Sequence, residues 1–363
     1  MSADSAFKHW FNEARYTAIA DSVAGLAPRF DRKRFLQLTL EGLDARELMD
    51  RLRQTAIALG ATLPGTYREQ LATVLRLAPT MGHNFVGVSL CDFVARFGLD
   101  EPEISLEALR QLTRHGSAEF AVRPFLVRDQ ARTLAIMETW ARDPDEHVRR
   151  LASEGSRPRL PWGLRLAQLV RDPSPVAPIL EALKSDPSLY VRKSVANHLN
   201  DITKDHPDWV IARVSRWDRA DNGTAWIVRH ALRSLVKKGH PPALTLLGVG
   251  AKPKLRIDRF TVAPTRLVLG SQFSLTANLT STTRKAQLLA VDYVVHYVKA
   301  SGGTSAKVFK WKVLSLDGGT TATLTKRQTV RDFTTRRHHP GSHRIVLQIN
   351  GQQLAETRFV LRR

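Results

Sequence analysis

The chain contains very little cysteine, since Cys91 is the only one among its 363 residues. A single cysteine excludes a disulfide framework, a cysteine-rich zinc site and the paired-cysteine motif of the zinc deaminases. Proteins without disulfides are typical of reducing compartments, so we expect a cytoplasmic protein.

Long apolar runs are also missing. No segment approaches the roughly 18 consecutive apolar residues that a membrane helix requires, which excludes an integral membrane protein. The first residues include Asp4, Lys8, Glu13 and Arg15, so we expect no secretory signal. Phosphate-binding loops, dinucleotide-binding glycines, serine-nucleophile elbows and kinase motifs are absent as well, and we expect no cofactor and no bound metal.

Acidic residues are scarce relative to basic ones, with 34 Asp and Glu against 55 Lys and Arg and a net charge of +21. Residues 251–363 hold 20 of the Lys and Arg but only 5 of the Asp and Glu. This excess predicts a polyanionic partner, nucleic acid first and an anionic membrane surface second. A solvated basic surface without a partner is the alternative.

Residues 1–250 are predicted to be helical, because apolar residues recur at spacings of three and four between proline-containing breaks such as Pro79. An internal repeat runs through the second half: Asp143-Pro144 with Val148-Arg149-Arg150 recurs 43 residues later as Asp186-Pro187 with Val191-Arg192-Lys193. A degenerate third copy contains Val228-Arg229-His230. Helix pairs at a period of about 40 residues predict a HEAT-like repeat solenoid.

The pattern changes after Gly250. Short β-rich runs, the first of them Leu267-Val268-Leu269, alternate with glycine pairs, and Asn350-Gly351 is a strong signal for a two-residue hairpin turn. We therefore predict two domains: a mainly α HEAT-like domain over residues 1–250 and a small all-β immunoglobulin-like sandwich over residues 251–363.

The segment from Leu151 to Trp162 contains the densest group of reactive side chains. Glu154 ends a predicted helix, Arg157 and Arg159 suit phosphate oxygens, and Pro161-Trp162 is expected to open the next helix. The face of a tryptophan suits a base or a developing cation. The alternative is structural: Trp162 anchors the core between repeats and the arginines neutralise Glu154.

Two further carboxylates are candidates. Asp201 lies four residues after Asn197, which occupies the position equivalent to Glu154 in the next repeat, so these two side chains share a helix face. Glu119 lies where a loop enters a helix. Each also has a structural interpretation, Asp201 as a loop anchor and Glu119 as a helix N-terminal charge.

The basic C-terminal region contains a predicted inter-strand loop around Pro340-Gly341. It carries the candidate DNA-binding residues Arg331, Arg336, Arg337, His338 and His339. A loop of this kind suits a minor groove, and a solvated loop is the alternative. The histidines lack a convincing spacing for zinc.

The runs Ser-Glu-Gly-Ser-Arg-Pro-Arg-Leu-Pro-Trp (153–162) and Val-Arg-Lys-Ser-Val-Ala-Asn-His-Leu-Asn-Asp (191–201) resemble the AlkC branch of the AlkC/AlkD DNA alkylation repair glycosylases. The resemblance covers residues 1 to about 245, within a HEAT-like repeat frame. An appended immunoglobulin-like domain occurs in some members of this family.

The resemblance implies hydrolytic excision of cationic alkylated bases, chiefly 3-methyladenine and also 3-methylcytosine, from double-stranded DNA without base flipping. It places Glu119, Glu154, Asp201 and Trp162 around the sugar. DNA contacts are expected from Arg157, Arg159, Asn197, Asn200, Lys204 and Arg229. We expect a monomer without a membrane partner. The alternatives are a non-catalytic HEAT-repeat scaffold that binds nucleic acid and a protein–protein adaptor.

Overall fold

A computed structural model describes residues 7–82, 84–250, 252–333 and 337–362. The chain divides into two compact units, Met1–Val210 with Arg216–Ala231, and Ile211–Ser215 with Leu232–Arg363. Among the described helices, none is both long and apolar enough to cross a membrane. The division into domains at residue 250 stays a prediction.

Helices follow one another through residues 13–246. In chain order they are α1 Glu13–Leu26, α2 Arg32–Leu40, α3 Leu48–Thr62, α4 Tyr67–Met81, α5 Val88–Phe97, α6 Pro102–Leu112, α7 Arg123–Arg128, α8 Gln130–Trp140, α9 Glu146–Gly155, α10 Ala167–Arg171, α11 Ala177–Ala182, α12 Leu189–Ile202, α13 Pro207–Val214, α14 Asn222–Ala231, α15 Arg233–Lys237 and α16 Pro241–Leu246. Short 3-10 turns lie at Leu43–Ala45, Phe85–Gly87 and Ser174–Val176.

The predicted repeats are helix pairs. The first copy is α8 and α9, the second is α11 and α12, and the third is α13 and α14. The second helices stack, because α9 packs on α12 and α12 packs on α14. The side chains of Leu151 and Val195 are fully buried in this stack. The predicted HEAT-like solenoid is confirmed.

Two local predictions about prolines were wrong. Pro79 does not break a helix but lies inside α4, which continues to Met81. Because Leu77 and Ala78 are 1% exposed, burial of this last turn compensates for the hydrogen bond that the proline removes. Pro161 and Trp162 do not open a helix either, since Trp162 has a left-handed φ of 63° and α10 begins only at Ala167.

The β-structure comprises β1 Leu255–Ala263, β2 Arg266–Val268, β3 Gln272–Ser281, β4 Gln287–Val298, β5 Thr304–Leu316, β6 Thr321–Thr329, β7 Gly341–Ile349 and β8 Gln352–Arg362. One sheet has the order β1-β3-β6 and the other β2-β8-β7-β4-β5. Strand β1 was not predicted, because charged residues interrupt its apolar alternation. The β7–β8 turn at Asn350-Gly351 is confirmed, with φ of 51° and 79°.

The two sheets enclose a common apolar core. Phe273 and Leu275 of β3 pack with Tyr293 of β4, Ile345 of β7 and Phe359 of β8. Residues from both sheets therefore bury one face each, as expected for a sandwich. The predicted all-β sandwich is confirmed.

Candidate active site

Two buried carboxylates from successive repeats share one guanidinium group. Glu154 lies in the last turn of α9, and Arg157 follows three residues later in the loop. Arg157 Nη1 donates to Glu154 Oε1 at 2.5 Å, while its Nε and Nη2 lie 2.9 and 2.7 Å from Asp201 Oδ2. Asp201 belongs to α12, so Arg157 connects the ends of two stacked helices.

The remaining oxygens of this pair are bound by other side chains. Ser194 Oγ donates to Glu154 Oε2 at 2.6 Å, and Lys204 Nζ lies 3.0 Å from Asp201 Oδ1. Ser194 and Asp201 are seven residues apart, which places both on one face of α12. The two carboxylates are thus fixed in orientation by three polar side chains.

Glu119 joins the same network through Arg150. Arg150 Nη1 donates to Glu119 Oε2 at 2.9 Å, and its Nη2 lies 3.8 Å from Glu154 Oε1. Although burial opposes the charge, Glu119 and Glu154 raise the pKa of the Arg150 guanidinium. The Arg150 guanidinium also lies over the ring of Tyr190, 4.8 Å from its centroid. All three predicted carboxylates are therefore linked in one cluster.

The two helices that carry the pair begin at well-defined caps. The Asp145 carboxylate accepts the backbone N–H of His147 at the start of α9, and Ser188 accepts that of Tyr190 at the start of α12. Because both caps follow an Asp-Pro dipeptide, the repeat sets where each helix starts. Helix α12 then continues for about one turn more than α9, which carries Asp201 one turn beyond Asn197, the position equivalent to Glu154. This register brings Glu154 and Asp201 together.

Trp162 is not a core residue. Its side chain is 61% exposed and its backbone adopts a left-handed conformation that non-glycine residues rarely occupy. The interpretation of Trp162 as an anchor between repeats is therefore wrong. The indole is available to a ligand at the surface of the loop that also carries Arg157.

The other predicted DNA contacts of the helical region differ in exposure. Arg159 forms a bidentate ion pair with Asp205, in which its Nε and Nη2 donate to Oδ2 and Oδ1 at 2.8 and 2.7 Å. Arg229 is exposed. Asn197 is half-buried, whereas Asn200 is buried and donates to the Ala231 carbonyl at 2.7 Å. The structure thus places Asn200 in the packing between α12 and α14, apart from the exposed cations.

In the β-structure, the predicted loop connects β6 and β7. Arg337 is exposed, and the Arg331 guanidinium lies 5.3 Å from the ring centroid of Phe333. His338 is buried, and its backbone N–H donates to Asp332 at 2.7 Å. The carbonyl of half-buried His339 lies 3.0 Å from a ring nitrogen of His343. Arg336 lies outside the described residues.

Sequence reasoning missed two members of the cluster, Arg150 and Ser194. Arg150 lies four residues before Glu154 on α9, a spacing that predicts an ion pair. Ser194 lies on the face of α12 that also carries Asp201. Within the part of the chain that the structure describes, no three His, Cys, Asp or Glu side chains form a metal-binding group.

The geometry supports charge stabilisation. Three carboxylates are held by fixed donors, three of which are the cations Arg150, Arg157 and Lys204, so they are oriented before any ligand arrives. A carboxylate oriented in this way can stabilise a developing cation that lies closer to it than its own partner cation does. The exposed indole of Trp162 offers an aromatic face to the same cation or to a base.

Known proteins resemble this chain over almost its whole length. Residues 113–235 match the family described as DNA alkylation repair enzyme, and residues 256–363 match the C-terminal Ig-like domain of the uncharacterised protein YhaZ. The chain is 40% identical to YhaZ of Bacillus subtilis, over 95% of this chain and 96% of that protein. It is 47% identical to Pseudomonas fluorescens alkylpurine DNA glycosylase AlkC, solved bound to DNA containing an abasic site analog. That match has a TM-score of 0.95 and covers 98% of this chain and 99% of that one.

Proposed function

Because the chain belongs to the family of the alkylpurine DNA glycosylase AlkC and of YhaZ, we propose that it is a DNA glycosylase of base excision repair. Its substrates are cationic alkylated bases in double-stranded DNA, chiefly 3-methyladenine and also 3-methylcytosine. The observation that carries the proposal is the pair of carboxylates, Glu154 and Asp201, held by the single guanidinium of Arg157.

In this mechanism the cationic base takes the electron pair of the N-glycosidic bond and leaves as a neutral molecule. Positive charge then develops on the deoxyribose, as in glycoside hydrolysis. Glu154 and Asp201 stabilise that charge and accept a hydrogen bond from the attacking water. The oxygen of the water bonds to the sugar and its proton passes to solvent. A base that is already cationic needs no strong general acid.

The remaining residues act on binding and orientation. Trp162 stacks on the deoxyribose or the lesion. Glu119, which is ion-paired with Arg150, adds negative charge to the cluster. Arg159, Lys204 and Arg229 contact phosphates. We also propose excision without base flipping, as the resemblance to the AlkC/AlkD glycosylases implies.

The test is release of free base from duplex DNA treated with a methylating agent, with no metal or cofactor added. We expect 3-methyladenine to be liberated and an abasic site to remain. If no base is released while binding to the same duplex persists, the non-catalytic nucleic-acid scaffold is the correct interpretation.

A further inference from the structure

Arg123 is the largest fully buried side chain of the described residues and lies beneath the loop that follows α9. Its Nη1 donates to the Gly155 carbonyl at 2.8 Å, and its Nε donates to the Leu164 carbonyl at 2.5 Å. Gly155 and Leu164 flank residues 156–163, which we call the site loop. One guanidinium therefore holds both ends of the segment that carries Arg157, Arg159 and Trp162.

Burying this arginine is unfavourable for stability. Burial, together with repulsion from Arg157, lowers the pKa of Arg123 to about 10, even though the carboxylates of Asp201, Glu154 and Glu119 favour its charged form. Its Nη2 is buried without a hydrogen-bond partner among the described residues. A buried cation with an unsatisfied donor destabilises the folded state, whereas an apolar side chain of similar volume does not. The energetics of packing alone give no reason for an arginine here.

The loop that Arg123 holds is strained. Trp162 has a φ of 63°, and a non-glycine residue in this region persists only where its surroundings hold it. Hydrogen bonds from the Gly163 N–H to the Leu160 carbonyl and from the Leu166 N–H to the Pro158 carbonyl tighten the turn. A Cβ added to Gly163 would lie 3.3 Å from Arg123 Nε, so the turn packs directly on the guanidinium.

We propose that Arg123 is a positioning residue for base excision: its two bonds to the ends of the site loop hold Trp162 exposed and Arg157 on its two carboxylates. The effect of Arg123 on the rate of base excision rests on the proposed function, whereas its effect on the conformation of the site loop does not. Lysine in this position retains the charge and loses the planar fork that reaches two carbonyls at once.

The kinetic test measures single-turnover base release and duplex affinity for Arg123→Lys. We expect the rate to fall by about 10- to 100-fold, as for other misplaced catalytic groups, while the Kd for duplex DNA changes by less than about threefold. The matched control is Arg51→Lys, because Arg51 is also buried and holds the carbonyls of Arg46 and Phe11 in the N-terminal region. Equal loss of rate in both variants would overturn the proposal.

A second test does not depend on activity. In protein labelled with 5-fluorotryptophan, the 19F resonance of Trp162 is assigned with Trp162→Phe. We expect this resonance alone to shift or broaden in Arg123→Lys and to stay unchanged in Arg51→Lys. An unchanged Trp162 resonance in Arg123→Lys would contradict the inference. Failure of the unsubstituted protein to release base would contradict only the proposed function.

Gly163→Ala provides the same test if Arg123→Lys does not fold. The added methyl group presses on Arg123 and on Leu160, where its closest distance would be 3.0 Å. We expect the Trp162 resonance to move and base release to slow in the same direction as for Arg123→Lys. A Gly163→Ala protein with the unsubstituted spectrum and rate would overturn the proposal.

Discussion

The two ends of helix α9 form similar ion pairs that serve different purposes. At the N-terminal end, Arg149 Nε lies 2.7 Å from Asp186 Oδ2, and beyond the C-terminal end Arg157 Nη2 lies 2.7 Å from Asp201 Oδ2. Both pairs connect one repeat to the next, and both carboxylates are buried. The N···O distance and the burial of the carboxylate therefore do not distinguish the two pairs.

Their other partners distinguish them. Asp186 also accepts the backbone N–H of Ser188 at 2.8 Å, and Arg149 donates to the carbonyls of Asp143 and Pro144. The pair at the N-terminal end therefore satisfies backbone groups where helices begin.

At the other end, Arg157 gathers Glu154 and Asp201, whose oxygens accept only from side chains within the described residues. Buried ion pairs contribute little net stability compared with apolar packing. An ion pair that satisfies backbone hydrogen-bonding groups has a structural role. An ion pair that brings together carboxylates from two repeats requires a different explanation. The partners of a buried charge therefore say more about its role than its burial does.

The largest effect is expected for Glu154→Gln. The amide oxygen still accepts from Arg157, and the amide NH2 group can donate to Ser194 Oγ in place of the present bond from Ser194, but the side chain no longer carries a negative charge to stabilise the sugar cation. We expect single-turnover base release to fall by at least about 100-fold, as for the loss of one charge-stabilising group elsewhere. Duplex affinity, measured by fluorescence anisotropy, should change only several-fold. Full activity in this variant would contradict the assignment of the site.

Trp162→Ala is expected to have the next largest effect. Loss of one aromatic stacking contact should slow base release by about 10-fold, in line with stacking energies of roughly 1–3 kcal/mol. Because Trp162 is exposed, the melting temperature should barely change. Trp162→Phe keeps an aromatic face and is the control, so equal losses in the two variants would argue against stacking.

The basic β6–β7 loop of the β-structure is a second kind of charged surface. Arg331 and Arg337 are exposed in the β6–β7 loop. Replacing both with Gln should reduce the slope of log K against log salt by about two, since each phosphate contact contributes about 0.9. The single-turnover rate at saturating enzyme should not change. An unaltered slope across a salt series would contradict a role of this loop in DNA binding.

Asp186→Asn, at the structural end of α9, is also expected to have little effect on activity. The loss of its charge weakens the pair with Arg149 and should lower the free energy of unfolding by about 1–3 kcal/mol. Base release at a temperature where the protein remains folded should stay within about twofold of the unsubstituted rate. A large loss of rate without unfolding would remove the distinction between the two ends.

The amino-acid sequence predicts much of this arrangement because the repeat is regular. The 43-residue offset locates α9 and α12, and the spacing of Asn197 and Asp201 puts the second carboxylate on the correct face. Local sequence does not predict which side chains form ion pairs between repeats. Glu119 is 31 residues from Arg150, and only the packed helices show that the two meet.

The sequence also did not predict backbone conformations that depend on tertiary contacts. The left-handed conformation of Trp162 depends on contacts from Arg123 and the rest of the site loop, whereas the preference of proline for the first position of a helix predicted a helix start there. Pro79 stays inside α4 for a similar reason, since burial of the neighbouring side chains overrides a local breaker.

The most direct test of the central claim compares Asp201→Asn with Asp186→Asn in the release of free base from methylated duplex DNA. Each substitution removes one buried carboxylate charge from an inter-repeat ion pair with an arginine. We predict that Asp201→Asn lowers release by about 100-fold, much as Glu154→Gln does, while it still binds the duplex, and that Asp186→Asn releases base at nearly the unsubstituted rate. Equal rates in the two variants would contradict the claim that the network around Arg157 is the active site.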